Sequence, residues 1–323
     1  MLQLAIENLI SPIVLSFVLG LLASLARSDL SIPEAVAKGM SIYLLFAIGF
    51  KGGVSVADHG IDLQLGASLI AGVILSFVIP LIAYSILRGI TKLSRIEAAA
   101  VAGHYGSISI VTFVAGTSIL ESNGIAAEGY MVAVAAAMEA PAILSALWLV
   151  ARRGAAIDKG NTNLIREILL NGSIVLLIGA FVIGGITGND GLKEIEAFIV
   201  SPFKGVLCIF LLDMGLVAGR GLRQGRDALT PALFAFGGFM PLIGSALGLG
   251  AGLLLGLSTG GVALMMILSA SASYIAVPAA MRVALPEASP SIYLTMSLAV
   301  TFPFNLTVGI PIYISVAQML SGG

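Results

Sequence analysis

Two stretches of small polar residues interrupt otherwise apolar sequence, and both have the chemistry to bind ions. The first is Gly103-His-Tyr-Gly-Ser-Ile-Ser-Ile-Val-Thr112; the second is Ser269-Ala-Ser-Ala-Ser-Tyr-Ile-Ala-Val-Pro278. Gly103 and Gly106 weaken a helix in the first. Pro278 in the second lacks an N–H and crowds the carbonyl of Tyr274, so the helix is expected to open there. A break at membrane depth leaves backbone groups without partners, which is tolerated only beside a cavity or inside protein. A half-helix N-terminus offers N–H groups and partial positive charge to a small anion, while freed carbonyls and hydroxyls suit a hard cation such as Na⁺. Gly106, Ser107, Ser109, Thr112, Ser271 and Ser273 are therefore candidate substrate ligands, and Ser269 a candidate cation ligand. The alternative is packing alone, because Gly, Ala and Ser let membrane helices approach closely.

Four ionisable residues fall in or near apolar runs: Lys51, His104, Glu139 and Asp213. Charge is costly in lipid, and a functional role is the first hypothesis for each. Glu139 and Asp213 are candidate Na⁺ ligands or proton carriers, joined by Asn305, which lies 166 positions after Glu139. An internal pair of Asp213 with Lys51 is the structural alternative. Lys51 can also snorkel to a helix end. His104 either feels an anion at the first break or caps backbone. Glu121, Glu287, Glu97 and Glu128 read as solvated loop charges.

The elements that must hold these residues are membrane helices. Hydrophobic residues make up 58% of the 323 and charged residues only 10%, where a soluble domain carries roughly 25%. So few charges cannot cover a globular surface, and the solvent must be lipid. Ten spans of ~20 apolar residues are expected at about 9–27, 37–57, 65–87, 97–120, 128–151, 172–188, 199–218, 230–255, 260–282 and 291–320. The last has Pro303 and Pro311 as places to bend. Of the 16 Lys and Arg, all but Lys51, Lys193 and Lys204 fall in loops on one side of such a chain; Lys193 is left to the other. That asymmetry puts both termini outside the plasma (inner) membrane and the linker 152–171 in the cytoplasm.

The same arrangement reads as a duplication. Gly49-x-x-x-Gly53 returns 166 positions later as Gly215-x-x-x-Gly219, and the same shift relates Ser107 to Ser273 and Glu121 to Glu287. Five spans per half is odd, so the second half enters from the opposite side. The expected fold is an all-α polytopic membrane protein of ten helices. Residues 1–151 and 172–323 form a 5+5 inverted repeat whose two interrupted helices cross near the midplane. The Gly-x-x-x-Gly pairs read as packing motifs.

Several function classes are excluded. A net charge of −1 with no basic tail gives nothing for nucleic acid. No phosphate-binding Gly-Lys-Ser/Thr loop suggests ATP drive, and no His-Glu-x-x-His or other metal-ligand cluster suggests a protease. The one cysteine, Cys208, cannot form an internal disulfide. No catalytic residues and no cofactor beyond a coupling Na⁺ are expected.

His104-Tyr-Gly-Ser-Ile-Ser-Ile-Val-Thr-Phe113, Met138-Glu-Ala-Pro-Ala142, Ser271-Ala-Ser-Tyr-Ile-Ala-Val-Pro-Ala-Ala-Met-Arg282, Pro286-Glu-Ala-Ser-Pro-Ser291 and Thr301-Phe-Pro-Phe-Asn305 together resemble the sodium-dependent bicarbonate transporter superfamily, over almost the whole chain. The resemblance implies a Na⁺-driven HCO₃⁻ symporter of inverted repeats, assembled as a homotrimer, with substrate between the interrupted segments. Gly106, Ser109 and Thr112 match the family's first-segment pattern, and Met138-Glu139-Ala-Pro141 matches its Met-Asp-x-Pro with a longer acid. The second segment departs: Tyr274 stands where cyanobacterial members carry Asp, which makes Tyr274 a candidate substrate-pocket residue. A PII-like cytoplasmic regulator, implied by the resemblance, has a shorter linker to meet. The expected function is Na⁺-coupled symport of bicarbonate or a similar small anion by alternating access. The alternatives are an H⁺- or Na⁺-coupled small-carboxylate transporter and a passive anion channel.

Overall fold

The computed structural model of the chain describes residues 10–60, 62–151, 172–224, 230–274, 277–278, 281 and 285–321. The expected linker 152–171 lies outside these residues, as do Ile275, Ala276, Ala279 and Ala280 of the second interrupted stretch. Every regular element among the described residues is helical. In chain order the helices are α1 (Pro12–Leu25), α2 (Glu34–His59), α3 (Leu63–Ile90), α4 (Arg95–Gly106), α5 (Ile110–Ser122), α6 (Met131–Ala137), α7 (Glu139–Ala151), α8 (Gly172–Ile199), α9 (Phe203–Gln224), α10 (Pro231–Leu254), α11 (Thr259–Ala270) and α12 (Pro290–Ser321). Taking α4–α5 and α6–α7 as continuous rods, eight spans among the described residues are long and apolar enough to cross a membrane. The short apolar helices α1 and α11 lie in the first and ninth expected segments.

Local sequence explains the irregularities. α1 starts at a Ser11 cap with Pro12 in its first turn. α4 starts with a capping box, Ser94 bonding the Glu97 N–H and Glu97 reaching back to the Ser94 N–H. Pro141 has no N–H for the carbonyl of Ala137, and the α6–α7 rod is interrupted at Met138, whose own carbonyl accepts from the Ser76 hydroxyl. α12 widens into π-type turns at Thr295–Thr301 and Asn305–Gly309, on either side of Pro303 and ahead of Pro311.

The sixth segment departs from expectation. It was expected to end near residue 188 and give way to a loop. Instead Gly188 turns the chain with φ 57°, and the helix resumes to Ile199. A glycine tolerates this left-handed φ at little cost.

Two helix pairs pack backbone to backbone through the repeated Gly-x-x-x-Gly motifs. α2 lies on α8: a Cβ at Gly53 would sit 1.9 Å from the carbonyl oxygen of Phe181. α1 lies on α9: a Cβ at Gly215 would sit 2.1 Å from that of Phe17. Each motif therefore acts in packing, as read from the sequence. The remaining helices enclose the two breaks. The α4–α5 rod is buried throughout its apolar window, and α11 is buried from Gly260 to Ala270, whereas the window of α8 is only 17% buried. The interrupted segments thus lie inside protein while α8 carries the apolar outer surface.

Several helix ends and connections are joined to one another by side-chain hydrogen bonds. Gln64 donates to the carbonyls of Leu255 and Gly256, Asn189 to Asp58, Lys204 to Ser122, and Ser258 to Glu128.

Candidate ion-binding site at the two helix breaks

The first break runs Ser107–Ser109 in extended backbone between α4 and α5. The second opens at Ser271, one turn before the Tyr274 position expected from Pro278. The cause is tertiary. The Ser109 N–H donates to the Ser271 hydroxyl oxygen at 2.9 Å, and that hydroxyl donates to the Leu268 carbonyl at 2.9 Å, ending the helix. The Ser273 N–H donates to the His104 carbonyl at 2.8 Å. Each break therefore supplies backbone partners that the other lacks.

At this crossing α4 and α11 end and α5 begins, so two helix C-termini and one N-terminus converge among the described residues. The Ser109 hydroxyl caps α5 by accepting from the Thr112 N–H at 3.2 Å. The first-turn N–H groups of Ile110 and Val111 have no acceptor within the helix. A small cleft lies here, lined by Leu45, Ile108, Ser109, Ile110, Glu139, Ser273 and Tyr274, with about 10 Å³ open to the centre of a water-sized sphere. That is room for about one water or small ion.

Several buried polar atoms at the crossing have no hydrogen-bond partner among the described residues: Ser107 Oγ, Thr112 Oγ1, Ser269 Oγ, His104 Nε2 and Glu139 Oε2. Buried polar groups in native structures are nearly always paired, so such a concentration calls for a reason. Glu139 is 4% exposed, and neither ion pair among the described residues involves it. An ionised carboxylate so placed carries a desolvation penalty of several kcal/mol, on the order of that for any unpaired buried ion. A cation or a proton relieves it.

The other candidates sort differently. A Cβ at Gly106 would lie 2.2 Å from Pro80 Cγ, so this glycine serves the contact of α4 with α3. Asn305 is committed on both sides: its Nδ2 donates to the Ala270 carbonyl at 2.9 Å, and its Oδ1 accepts from the Tyr313 hydroxyl at 3.0 Å. It holds the end of α11. Tyr274 lines the cleft with its ring edge-on to Phe302 at 5.4 Å, and Phe302 stands edge-on to Phe17 at 5.3 Å. Asp213 is buried on α9 but is not among the cleft's lining residues. The alternative Asp213–Lys51 pair is not formed: Lys51 Nζ lies 2.6 Å from Glu121. Glu121 is therefore paired rather than merely solvated. His104 donates from Nδ1 to the Ala100 carbonyl at 2.7 Å and stacks on Tyr293 at 4.6 Å, so it caps backbone as one reading expected.

Sequence reasoning missed four contributors. Ser76 holds the Met138 carbonyl beside Glu139. Thr301 accepts from the Tyr105 hydroxyl at 2.6 Å and donates to the Gly237 carbonyl, tying α4 to α12 and α10. Leu45 supplies one apolar wall of the cleft. Glu128, read as an ordinary loop charge, accepts from the Ser258 N–H at 2.6 Å and its hydroxyl at 3.0 Å, capping α11 from 130 residues away. Only Ser76, a lone hydroxyl one turn before Pro80 in an apolar run, carried a local signal.

A buried carboxylate, hydroxyls and a helix N-terminus at one small cleft offer groups that attract a cation and groups that attract an anion, with room in the present conformation for about one small ion. The family model of the Na⁺-dependent bicarbonate transporter superfamily matches residues 12–318. The chain belongs to that superfamily. Membership in the bicarbonate transporter superfamily, with its apolar helices, makes this an integral membrane transporter rather than an enzyme. No curated protein matches the chain.

Proposed function

We propose that the chain couples Na⁺ to the uptake of bicarbonate, or an anion of similar size, by alternating access. The observation that carries this reading is Glu139 Oε2, buried without a partner among the described residues and lining one cleft with Ser109, the N-cap of α5. Na⁺ offsets the carboxylate, and hydroxyls such as Ser107, Thr112, Ser269 and Ser273 complete an oxygen shell. The anion takes the Ile110 and Val111 N–H groups. Because the lining carries Glu139 and no basic residue, the anion gains most when the cation is already there.

The scaffold we infer is a 5+5 inverted repeat with both termini outside. Two observations support it. The related Gly-x-x-x-Gly motifs each pack on the first helix of the opposite half, and the loops assigned to one side by charge are joined to one another. Homotrimer assembly, the inner-membrane location and a PII-like cytoplasmic regulator are proposed from the resemblance alone.

A second reading, H⁺-coupled transport of a short carboxylate, is favoured by the same carboxylate acting as a proton carrier. Purified protein in liposomes separates the two. Labelled bicarbonate should accumulate under an inward Na⁺ gradient. Equal uptake without the gradient removes Na⁺ coupling, and accumulation of formate or acetate under a proton gradient establishes the second reading.

A further inference from the structure

Two lysines reach the far end of the half-helix that begins at the site. Lys51, on α2, pairs with Glu121 at 2.6 Å. Lys204, at the start of α9, donates to the Ser122 hydroxyl at 2.9 Å. Glu121 and Ser122 are the last two residues of α5. The Lys51 ammonium also stands 5.6 Å from the centre of the Phe203 ring, next in sequence to Lys204. Cations at this end are favoured by the partial negative charge of the α5 C-terminus.

The lysines belong to α2 and α9, which pack through their glycines on α8 and α1. α5 belongs to the helices around the breaks, with Gly116 against Ile267 of α11. α5 contains no proline, is buried from Ile110 to Gly116, and spans ~20 Å as a regular helix. Displacing its 121–122 end therefore displaces the Ser109–Thr112 end. Lys51 and Glu121 also line a cavity of about 270 Å³ whose wall includes Ile48 and Phe113, one helical turn from the cleft residues Leu45 and Ile110. The second break has no such tether among the described residues: Glu287, related to Glu121 by the 166-residue shift, is exposed and in neither ion pair.

We propose that Lys51 and Lys204 are positioning residues that clamp the outer end of α5 and favour the conformation with the cavity open and the α5 N-terminus at the cleft. This rests on the reading of that N-terminus as the anion site. A tether present at one break only makes the two conformations of an alternating-access cycle unequal, favouring the one in which it is closed. Both Lys51 and Glu121 are partly exposed, at 30% and 40%. The bias is therefore that of a surface pair, up to about fivefold in a conformational equilibrium.

The test places a cysteine at Thr117, in the cavity wall, in a Cys208→Ser background. Its rate of modification by a methanethiosulfonate reagent is followed in detergent, where sidedness and transport do not enter. Lys51→Met, Glu121→Gln and Lys204→Met are each expected to change that rate two- to fivefold and to raise the bicarbonate KM similarly, with little change in maximal rate. The swap Lys51→Glu with Glu121→Lys should restore both readouts. Choline chloride raised from about 0.05 to 0.5 M should mimic Lys51→Met in wild type and do nothing further to that variant. Wild-type modification rates in all single variants, or a swap that restores neither readout, overturn the proposal. If modification responds and uptake does not, the clamp stands and the α5 site reading fails.

Discussion

Beside the two helix breaks stand Glu139 and Asn305, 166 positions apart in the sequence, and they are bonded differently. At the first, Glu139 leaves Oε2 buried and unpartnered among the described residues beside Ser109. At the second, the related Asn305 is bonded on both sides and holds the α11 C-terminus. Glu139 keeps its electrostatic demand open for an ion; Asn305 satisfies its own internally, although Ser269 Oγ near the second break is also unpartnered among the described residues. The caps differ as well. α4 is capped by its own Ser94 and Glu97, whereas α11, capped by its own Ser258, also draws on Glu128 from 130 residues away. Two positions 166 residues apart thus carry different loads: Glu139 is left unpartnered among the described residues, and Asn305 braces the end of α11.

The largest expected effect breaks that contrast directly. Glu139→Gln should lower Na⁺-driven uptake by about 100-fold or more while leaving the melting temperature in detergent unchanged or raised, because an unpaired buried charge is removed. Asn305→Ala should do the reverse. It orphans the Ala270 carbonyl and the Tyr313 hydroxyl, a loss of about 1–3 kcal/mol for each group, read as a clear drop in melting temperature and expression. Should Glu139→Gln unfold the protein and Asn305→Ala leave it stable, the roles are inverted. Ser109→Ala and Ser273→Ala come next. Each should reduce uptake about tenfold with expression intact, and Ser109→Ala should also cost about 1 kcal/mol as a lost cap. Wild-type uptake in both would make the breaks packing features. The smallest effect compares the caps: Ser94→Ala should cost about 0.5–2 kcal/mol, and Glu128→Gln less, since its amide oxygen can still accept from the Ser258 N–H. Melting curves of the two variants rank them.

Much of the fold was legible because lipid imposes simple rules. Apolar length located eight long helices among the described residues, while the first and ninth expected spans hold only the short α1 and α11, and the Gly-x-x-x-Gly spacing announced the backbone contacts made at Gly53 and Gly215. What escaped reading was long-range or conformational. Gly188 passes a turn and lets the helix continue, a choice that residues 189–199 do not advertise. The second break opens at Ser271 rather than nearer Pro278, because the Ser109 N–H reaches it from 162 residues away. Glu121 and Glu128 look like loop charges, and only the folded chain brings Lys51 and Ser258 to them. Of the site candidates, Ser109, Ser273, Tyr274 and Glu139 share the cleft, while Asp213 does not line it and Gly106 and Asn305 serve packing and capping. Residue type separated none of these, because an unpartnered carboxylate and a bonded amide look equally polar in sequence.

In the proposed mechanism the cleft widens beyond its present volume of about 10 Å³ and takes both ions, the cation at Glu139 and the anion at the start of α5. Calorimetric titration of bicarbonate into the purified protein tests it most directly, in NaCl and in choline chloride of equal strength. The account predicts at least tenfold tighter bicarbonate binding in Na⁺ for wild type, the reciprocal tightening of Na⁺ by bicarbonate that linkage requires, and loss of both in Glu139→Gln. Equal bicarbonate affinity in the two salts, or undiminished coupling in Glu139→Gln, would contradict it.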